Sequence, residues 1–338
     1  MKKILLILVV IAMMIPVTSC RNVDPTPVPA TSEDSLPATE APTEAPTEPE
    51  PQDPVIPEVS WEPIAENLES VKILSIGNSF SVDSMEYLWD MLRSVGYQNV
   101  TLGILYYGGC SLAQHVNFMT NDTTDYVYFK NNSGTWVRRN STRASYVMAD
   151  EDWDIITIQD SAKVAGLASS YEASLSTVVD YVRSKNQTAK LVWHMVWADQ
   201  SDSTRSAFIT NYNRDQMKMY AMFIDCTRNL VMTEDSPFCA LIPTGTVIQI
   251  ARTSFLGDHL TRDGHHLNYT YGRYLAALTW TCRLAGIHPL AVTYNPCPGK
   301  ISEDMFAVAR EAVAEGLAYP YELTISSYPT GTGKLYAE

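Results

Sequence analysis

The chain has 338 residues, of which 46% are hydrophobic, and a formal net charge of -14. This apolar content is sufficient for a folded core, and the sequence contains no basic cluster of the kind that binds nucleic acid. From Trp61 to about Tyr328 apolar runs follow one another without a second linker, which predicts one domain over residues 61–338.

The N-terminus has the features of a secretory signal. Lys2 and Lys3 precede an apolar run, Ile4 to Pro16, that is short for a membrane span. Small residues before Cys20 resemble a bacterial lipobox, in which the cysteine is lipidated and becomes the new N-terminus. We expect residues 1–20 to be a lipoprotein signal that anchors the protein outside the cytoplasm, on the membrane or cell surface. The alternative is an ordinary cleavage site that contains a cysteine.

Residues 21–60 are rich in Pro, Thr and Glu, and the sequence Ala-Pro-Thr-Glu occurs twice in succession between Ala41 and Glu48. Such a segment has almost nothing to bury and is expected to be an extended, disordered tether. It holds nine acidic residues and one basic residue, Arg21, so more than half of the net negative charge lies here. The acidity of the chain therefore says little about its substrate.

Within the domain, apolar runs bounded by turn residues alternate with helical periodicities. The predicted strands are Lys72–Ile76, Val100–Tyr107, Asp154–Gln159, Leu191–Val196 and Ala240–Pro243. The predicted helices are Ser84–Val95, Tyr171–Ser184, Ser206–Met232 and Tyr271–Leu284. Two short strands around Asn131–Gly134 predict an inserted β-hairpin. Strands separated by helices favour an α/β fold in which a parallel sheet is covered by helices on both faces.

Several chemically suggestive residues follow predicted strands, where ligands bind in parallel sheets: Ser79, Gly109, Gln159 and Trp197. Ser79 ends the triplet Gly77-Asn78-Ser79, between the first strand and the next helix. There its hydroxyl is exposed at the sheet edge, and its N–H group is placed to stabilise an oxyanion. The alternative is a simple turn in which Ser79 or Ser81 caps the helix.

A second polar segment, Asp263 to His266, places a carboxylate within one turn of two imidazoles. A carboxylate bound to Nδ1 fixes the imidazole tautomer and leaves Nε2 free to act as a base for serine. His265 and His266 are both possible bases, and His259 is a more remote candidate. The alternative is a polar loop with solvent-exposed histidines.

Other catalytic motifs are missing from the sequence. It has no G-x-S-x-G elbow, no phosphate-binding glycine-rich loop and no H-E-x-x-H helix, and its cysteine spacings fit no zinc pattern. We expect neither a metal nor a cofactor.

The chain resembles the SGNH/GDSL hydrolases, a superfamily of flavodoxin-like serine esterases with a three-layer sandwich fold. The first block, Gly-Asp-Ser, is matched by Gly77-Asn78-Ser79, and the last block, Asp-x-x-His, is matched by Asp263 and His266. The resemblance implies that Ser79 is the nucleophile, His266 the general base and Asp263 its orienting partner. It also implies that the N–H group of Gly109, in the second block, contributes to the oxyanion hole.

The third block of the superfamily, Gly-x-Asn-Asp, is not present. The resemblance implies that Gln159 supplies the side-chain donor of the oxyanion hole in place of the Asn of that block. The chain more closely resembles an uncharacterised secreted branch, through segments that lie between Val71 and Ala285: residues 76–81, 108–112, 193–197, 243–246 and 262–267. We expect Asn78, His115 and Trp197 to line the substrate pocket. A buried structural role for His115 and a core position for Trp197 are the alternatives.

The resemblance implies a surface-tethered serine esterase that removes acetyl or similar acyl groups from carbohydrate. Two alternatives stay open. One is a lipid or thioester hydrolase with an apolar acyl channel, and the other is a non-catalytic, glycan-binding lipoprotein with a degenerate site.

Overall fold

A computed structural model describes residues 62–328. The predicted signal peptide, Cys20 and the whole of the predicted linker lie outside the described residues.

The described residues form a central sheet of seven strands in the order β4-β3-β2-β1-β5-β6-β7. Neighbours from β2 to β7 are parallel, and β3 and β4 form an antiparallel hairpin added beside β2. Without the hairpin, the order is that of flavodoxin-like sheets. The strands are β1 (Ser70–Gly77), β2 (Asn99–Tyr106), β3 (Tyr126–Asn131), β4 (Val137–Thr142), β5 (Ile155–Ile158), β6 (Lys190–His194) and β7 (Ala240–Ile242).

Helices cover both faces of this sheet. Ile73 of β1 packs with residues of α1, α2 and α9, whereas Leu74, one residue later, packs with residues of α3, α4 and α5. Adjacent side chains of a strand point to opposite faces, so a strand buried on both faces becomes a continuous apolar run. The helices are α1 (Ser79–Met85), α2 (Leu88–Ser94), α3 (Leu112–Thr120), α4 (Ala144–Asp150), α5 (Ser174–Lys185), α6 (Ser206–Tyr212), α7 (Gln216–Cys226), α8 (Thr244–Arg252), α9 (Tyr271–Ala285) and α10 (Glu303–Ala318).

The predicted three-layer α/β fold with a hairpin insertion is thus confirmed. Two predicted helices are each divided: 84–95 falls on the end of α1 and on α2, and 206–232 falls on α6 and α7. The predicted helix 206–232 breaks at Asn213 and Arg214, which have φ values of 57° and 56°. Asp215 then caps α7, because its side chain accepts a hydrogen bond from Lys218 N at 2.9 Å. The periodicity continues through the break because α6 and α7 both bury an apolar face.

The strand register brings the predicted site segments to one edge of the sheet. Gly77 pairs with Tyr106 of β2, and Ile76 pairs with Ile158 of β5. The residues that follow these three strands therefore emerge side by side at their carboxyl ends. This is the switch point at which flavodoxin-like sheets place their ligands.

Candidate active site

Ser79 is the first residue of α1, immediately after the end of β1. Asn78 caps the helix, since its Oδ1 accepts a hydrogen bond from Phe80 N at 3.0 Å. Only glycine fits at position 77, because a Cβ there would lie 2.4 Å from the Oγ of Ser81 and 2.8 Å from the Gln159 side chain. This tight turn leaves Ser79 partly exposed, and its N–H group has no acceptor among residues 62–328.

A loop before α9 brings a histidine and a carboxylate to this serine. The Nε2 of His266 lies 2.9 Å from the Oγ of Ser79, and its Nδ1 lies 2.6 Å from the Oδ2 of Asp263. With the proton on Nδ1 donated to the carboxylate, Nε2 is left to accept the hydroxyl proton of Ser79. The three residues form one continuous hydrogen-bonded chain.

Asp263 is held as an anion. Its Oδ1 accepts hydrogen bonds from the N–H groups of His265 at 3.0 Å and His266 at 2.7 Å. Partial burial opposes ionisation, but these bonds and the pairing with the His266 ring outweigh it and lower the pKa of Asp263 to about 2. The carboxylate therefore stays charged over the pH range in which an imidazole acts as a base.

His265 belongs to a second, buried histidine–carboxylate pair. Its Nδ1 lies 2.6 Å from the Oδ1 of Asp199, and its backbone oxygen accepts a hydrogen bond from Trp197 Nε1 at 2.8 Å. Burial lowers the pKa of His265, although Asp199 opposes the shift. Between the two candidate bases, the structure places His266 against Ser79 and directs the Nδ1 of His265 to Asp199.

Gly109 lies in the exposed turn after β2, with a φ of 61°. This turn is joined to the serine turn by two hydrogen bonds, from Tyr107 N to Gly77 O at 3.3 Å and from Asn78 Nδ2 to Cys110 O at 3.1 Å. Among the described residues the N–H group of Gly109 has no acceptor. It is available to a substrate.

Gln159 is placed differently from the oxyanion donor that the sequence predicts. It is completely buried, and its Nε2 donates to the Oδ1 of Asn78 at 2.9 Å. Its Oε1 accepts from the Oγ of Ser81 at 3.0 Å and pairs with the Nδ1 of His194 at 2.8 Å. Its carboxamide thus supports the serine turn from beneath and has no exposed surface for a substrate.

The three residues predicted to line the pocket are also buried. Trp197 stacks on Phe80 with a centroid distance of 3.8 Å, and Asn78 uses both ends of its carboxamide within the serine turn. His115 lies 2.8 Å from the hydroxyl of Tyr126, and burial lowers its pKa to about 3. Residues that are at most 3% exposed cannot line an open substrate pocket in this conformation, so the predicted pocket residues are corrected to a supporting layer.

Sequence reasoning missed three carboxylates that organise this region: Asp83, Asp160 and Asp199. Asp160, which follows Gln159, accepts hydrogen bonds from Leu112 N at 3.0 Å and Ser161 N at 2.7 Å. Burial raises its pKa in spite of these bonds. Its position directly after a strand was the only available signal, because all of its partners but one are distant in sequence.

Within residues 62–328, no cluster of three or more His, Cys, Asp or Glu side chains is arranged to hold a metal ion. In the same range, no helix combines the length and the apolar character needed to cross a membrane. The five cysteines of this part of the chain are all unpaired.

A family model described as Domain of unknown function (DUF4886) matches residues 72–316. A DUF4886 family protein from Bacteroides uniformis is 35% identical, with a TM-score of 0.73, over 78% of this chain and 100% of that protein. No curated protein matches the chain.

Two more distant structures have lower scores. A candidate SGNH hydrolase from Slackia heliotrinireducens is 21% identical, with a TM-score of 0.41, over 64% of this chain and 100% of its own. A carbohydrate esterase family 3 protein from Talaromyces cellulolyticus is 15% identical, with a TM-score of 0.41, over 63% of this chain and 96% of its own.

Proposed function

The chain belongs to the DUF4886 family, and we propose that it is a serine esterase. The observation that best supports this is the chain of hydrogen bonds from Asp263 through His266 to Ser79, with lengths of 2.6 Å and 2.9 Å. Serine is a weak nucleophile until a base takes its proton, and this base has a carboxylate to fix its tautomer. The arrangement thus supplies a nucleophile, a general base and a carboxylate that orients the base.

In the acylation half of the reaction, the Oγ of Ser79 attacks the ester carbonyl carbon while its proton passes to the Nε2 of His266. The electron pair of the C=O double bond moves to the carbonyl oxygen, which becomes an oxyanion. When the intermediate collapses, the bond to the leaving alcohol breaks, and that alcohol takes the proton from His266. Ser79 is then acylated.

In the second half, a water molecule gives its proton to the Nε2 of His266 and attacks the acyl carbon. Collapse of this second intermediate releases the carboxylic acid, and the proton returns to the Oγ of Ser79. The N–H groups of Ser79 and Gly109 are the proposed oxyanion donors, since both lack an acceptor among residues 62–328. Gln159 contributes indirectly, by fixing Asn78 beside the nucleophile.

For the substrate we propose a short acyl group, such as acetyl, on a carbohydrate. The triad is open to solvent, because the side chains of His266 and Asp263 keep 27% and 48% of their surface exposed. A cavity of about 550 Å³ lies at the amino ends of β1, β5 and β6, away from Ser79. An open site accommodates a bulky alcohol and a small acyl group more readily than a long acyl chain.

The proposal includes attachment to the bacterial membrane or cell surface. Its support is the sequence alone: two lysines, an apolar run and small residues before Cys20, followed by a tether rich in Pro, Thr and Glu. A lipid on Cys20 would leave the domain outside the cytoplasm, where acylated polysaccharides are accessible.

A fluorophosphonate probe tests the enzyme class, since it reacts covalently with an activated serine. We expect labelling of the wild-type protein and none of Ser79→Ala; absence of wild-type labelling would favour a non-catalytic glycan-binding protein. A panel of acetylated sugars and long-chain p-nitrophenyl esters tests the substrate. Faster turnover of the long-chain esters would replace the carbohydrate proposal with a lipid or thioester hydrolase.

A further inference from the structure

Asp83 lies one helical turn after Ser79 on α1 and is 1% exposed. Three residues from outside the helix donate hydrogen bonds to its carboxylate: Leu267 N at 2.9 Å, Arg262 Nη1 at 3.1 Å and Arg273 Nε at 2.9 Å. A buried carboxylate persists only when it is paired and its oxygens are hydrogen-bonded. Asp83 therefore joins the nucleophile helix firmly to the residues that bind it.

Two of those residues flank the catalytic base. Thr261 and Leu267 pair as an antiparallel bridge, and Arg262 N donates to His266 O at 2.9 Å. We refer to residues 261–267 as the base loop. Asp83 binds both ends of this loop, through the Arg262 side chain and the Leu267 backbone.

The bond between Asp263 and His266 lies within the base loop and moves with it. The bond between His266 and Ser79, in contrast, crosses from the loop to α1. Its length depends on how the loop is held against the helix. Asp83 is on that helix, four residues from the nucleophile, and its hydrogen bonds connect α1 to the base loop.

We propose that Asp83 is a positioning residue that keeps the Nε2 of His266 within hydrogen-bond distance of the Oγ of Ser79. The proposal rests on the proposed function. Asp83 acts through Arg262 and Leu267, and its hydrogen bonds within residues 62–328 go to these two residues and Arg273, not to the triad side chains. Because a displacement of about 1 Å at reacting atoms costs on the order of a hundredfold in rate, such a connection has catalytic consequences.

The opposite side of the base loop has its own attachments. Gln200 N donates to Gly264 O at 2.8 Å, and Asp199 binds the His265 ring. These contacts do not involve Asp83. Its loss is therefore expected to shift the loop relative to α1 without releasing it, so alignment changes more than folding does.

The test is Asp83→Asn, which preserves size but turns an NH₂ group toward donors. Its matched control is Glu86→Gln, next to the end of the same helix. The carboxylate of Glu86 pairs with Arg273 at 3.3 Å and, within residues 62–328, has no hydrogen bond or ion pair with the base loop. Active sites are titrated with the fluorophosphonate, and kcat per titrated site and KM are measured with p-nitrophenyl acetate. A folding defect lowers the number of sites, whereas a positioning defect lowers kcat per site.

For Asp83→Asn we expect a kcat per site lower by roughly tenfold to a hundredfold with little change in KM. Glu86→Gln should match wild type. Arg262→Ala, which removes one link and leaves Asp83 bound to Leu267 N and Arg273, should show a smaller loss and decides the matter if Asp83→Asn does not fold. If Asp83→Asn and Arg262→Ala both keep the wild-type kcat per site, the proposal is overturned. A wild-type protein that titrates no sites overturns the proposed function as well.

Discussion

The carboxamide of Gln159 donates a hydrogen bond to the side-chain oxygen of Asn78 across 2.9 Å. Asn78 in turn caps α1 and binds the carbonyl oxygen of Cys110, so this one contact links the serine turn with the ends of β2 and β5. The two amides are matched: the oxygen of Gln159 accepts from Ser81 and pairs with His194, and its nitrogen is left for Asn78. The turn that carries Ser79 is therefore supported by a buried network of hydrogen bonds.

That network predicts that Gln159→Ala affects stability as well as activity. The change removes one hydrogen bond from each of Asn78, Ser81 and His194 and takes away the partner of His194 Nδ1. A buried polar atom left unsatisfied costs about 1–3 kcal/mol. We expect a clear fall in the free energy of unfolding, measured in urea, and a lower kcat from a displaced Asn78. Gln98→Ala, at an exposed glutamine, is the control and should change neither. An unaltered unfolding midpoint in Gln159→Ala would contradict the network.

Removal of the nucleophile or the base should abolish ester hydrolysis. We expect Ser79→Ala and His266→Ala each to lower kcat by at least about 10⁴-fold, and the double variant to lose little more, because the residues act as a unit. Asp263→Asn should be damaging but less severe. Hydrolysis of p-nitrophenyl acetate measures the effect, and Ser94→Ala, an exposed serine on α2, should have wild-type activity. Independent, additive losses would be incompatible with a triad.

The two adjacent histidines should behave differently. His265→Ala leaves the buried Asp199 without its closest partner, so it is expected to lower the melting temperature and to reduce kcat by less than about tenfold. His266→Ala should lose turnover and keep near wild-type stability, because its ring is more exposed. Paired measurements of melting temperature and kcat test this. If His265→Ala abolishes turnover and His266→Ala retains it, the base is misassigned.

Buried histidines predict that stability falls as the solution is acidified. Burial lowers the pKa of His115 and of His194 to about 3, whereas an unfolded histidine titrates near 6.5. Between these values the unfolded state binds more protons, so stability is lost as pH decreases below about 6.5, at about 1.4 kcal/mol per pH unit for each histidine.

Urea unfolding at several pH values between about 4 and 7 measures this slope. His115→Gln should reduce the slope by one histidine's share. The same slope in His115→Gln and wild type would show that His115 is not held neutral.

Lipidation of Cys20 predicts where the protein is found. Wild-type protein should partition into the detergent phase of a Triton X-114 extraction, and Cys20→Ala should move to the aqueous phase or remain uncleaved. Cys239→Ala, at an exposed cysteine of the domain, should partition like wild type. Wild-type protein in the aqueous phase would remove the anchor from the proposal.

The sequence by itself was sufficient to predict the sheet and to predict which polar residues lie at its edge. Buried parallel strands are continuous apolar runs, and their carboxyl ends meet at one edge, so Ser79 and Gly109 had to emerge near each other. Asp263 and His266 are three residues apart, close enough for their contact to be foreseen from spacing alone. The division of the helix at Asn213 was not foreseeable from periodicity, because apolar residues recur on both sides of it.

The direction of each side chain was decided only by tertiary structure. Adjacent residues in a loop point to different places, so His265 turned to Asp199 and His266 to Ser79 although both stood near Asp263 in sequence. Gln159, Asn78 and Trp197 follow strand ends as predicted, yet close packing buries them beneath the serine turn. Asp83 gave no local signal, because two of its partners lie 179 and 184 residues away and become neighbours only when the base loop packs on α1. Hydrogen bonds between distant segments form only when the packed core brings those segments together. Spacing along the sequence does not indicate how far apart two such segments lie in the folded chain.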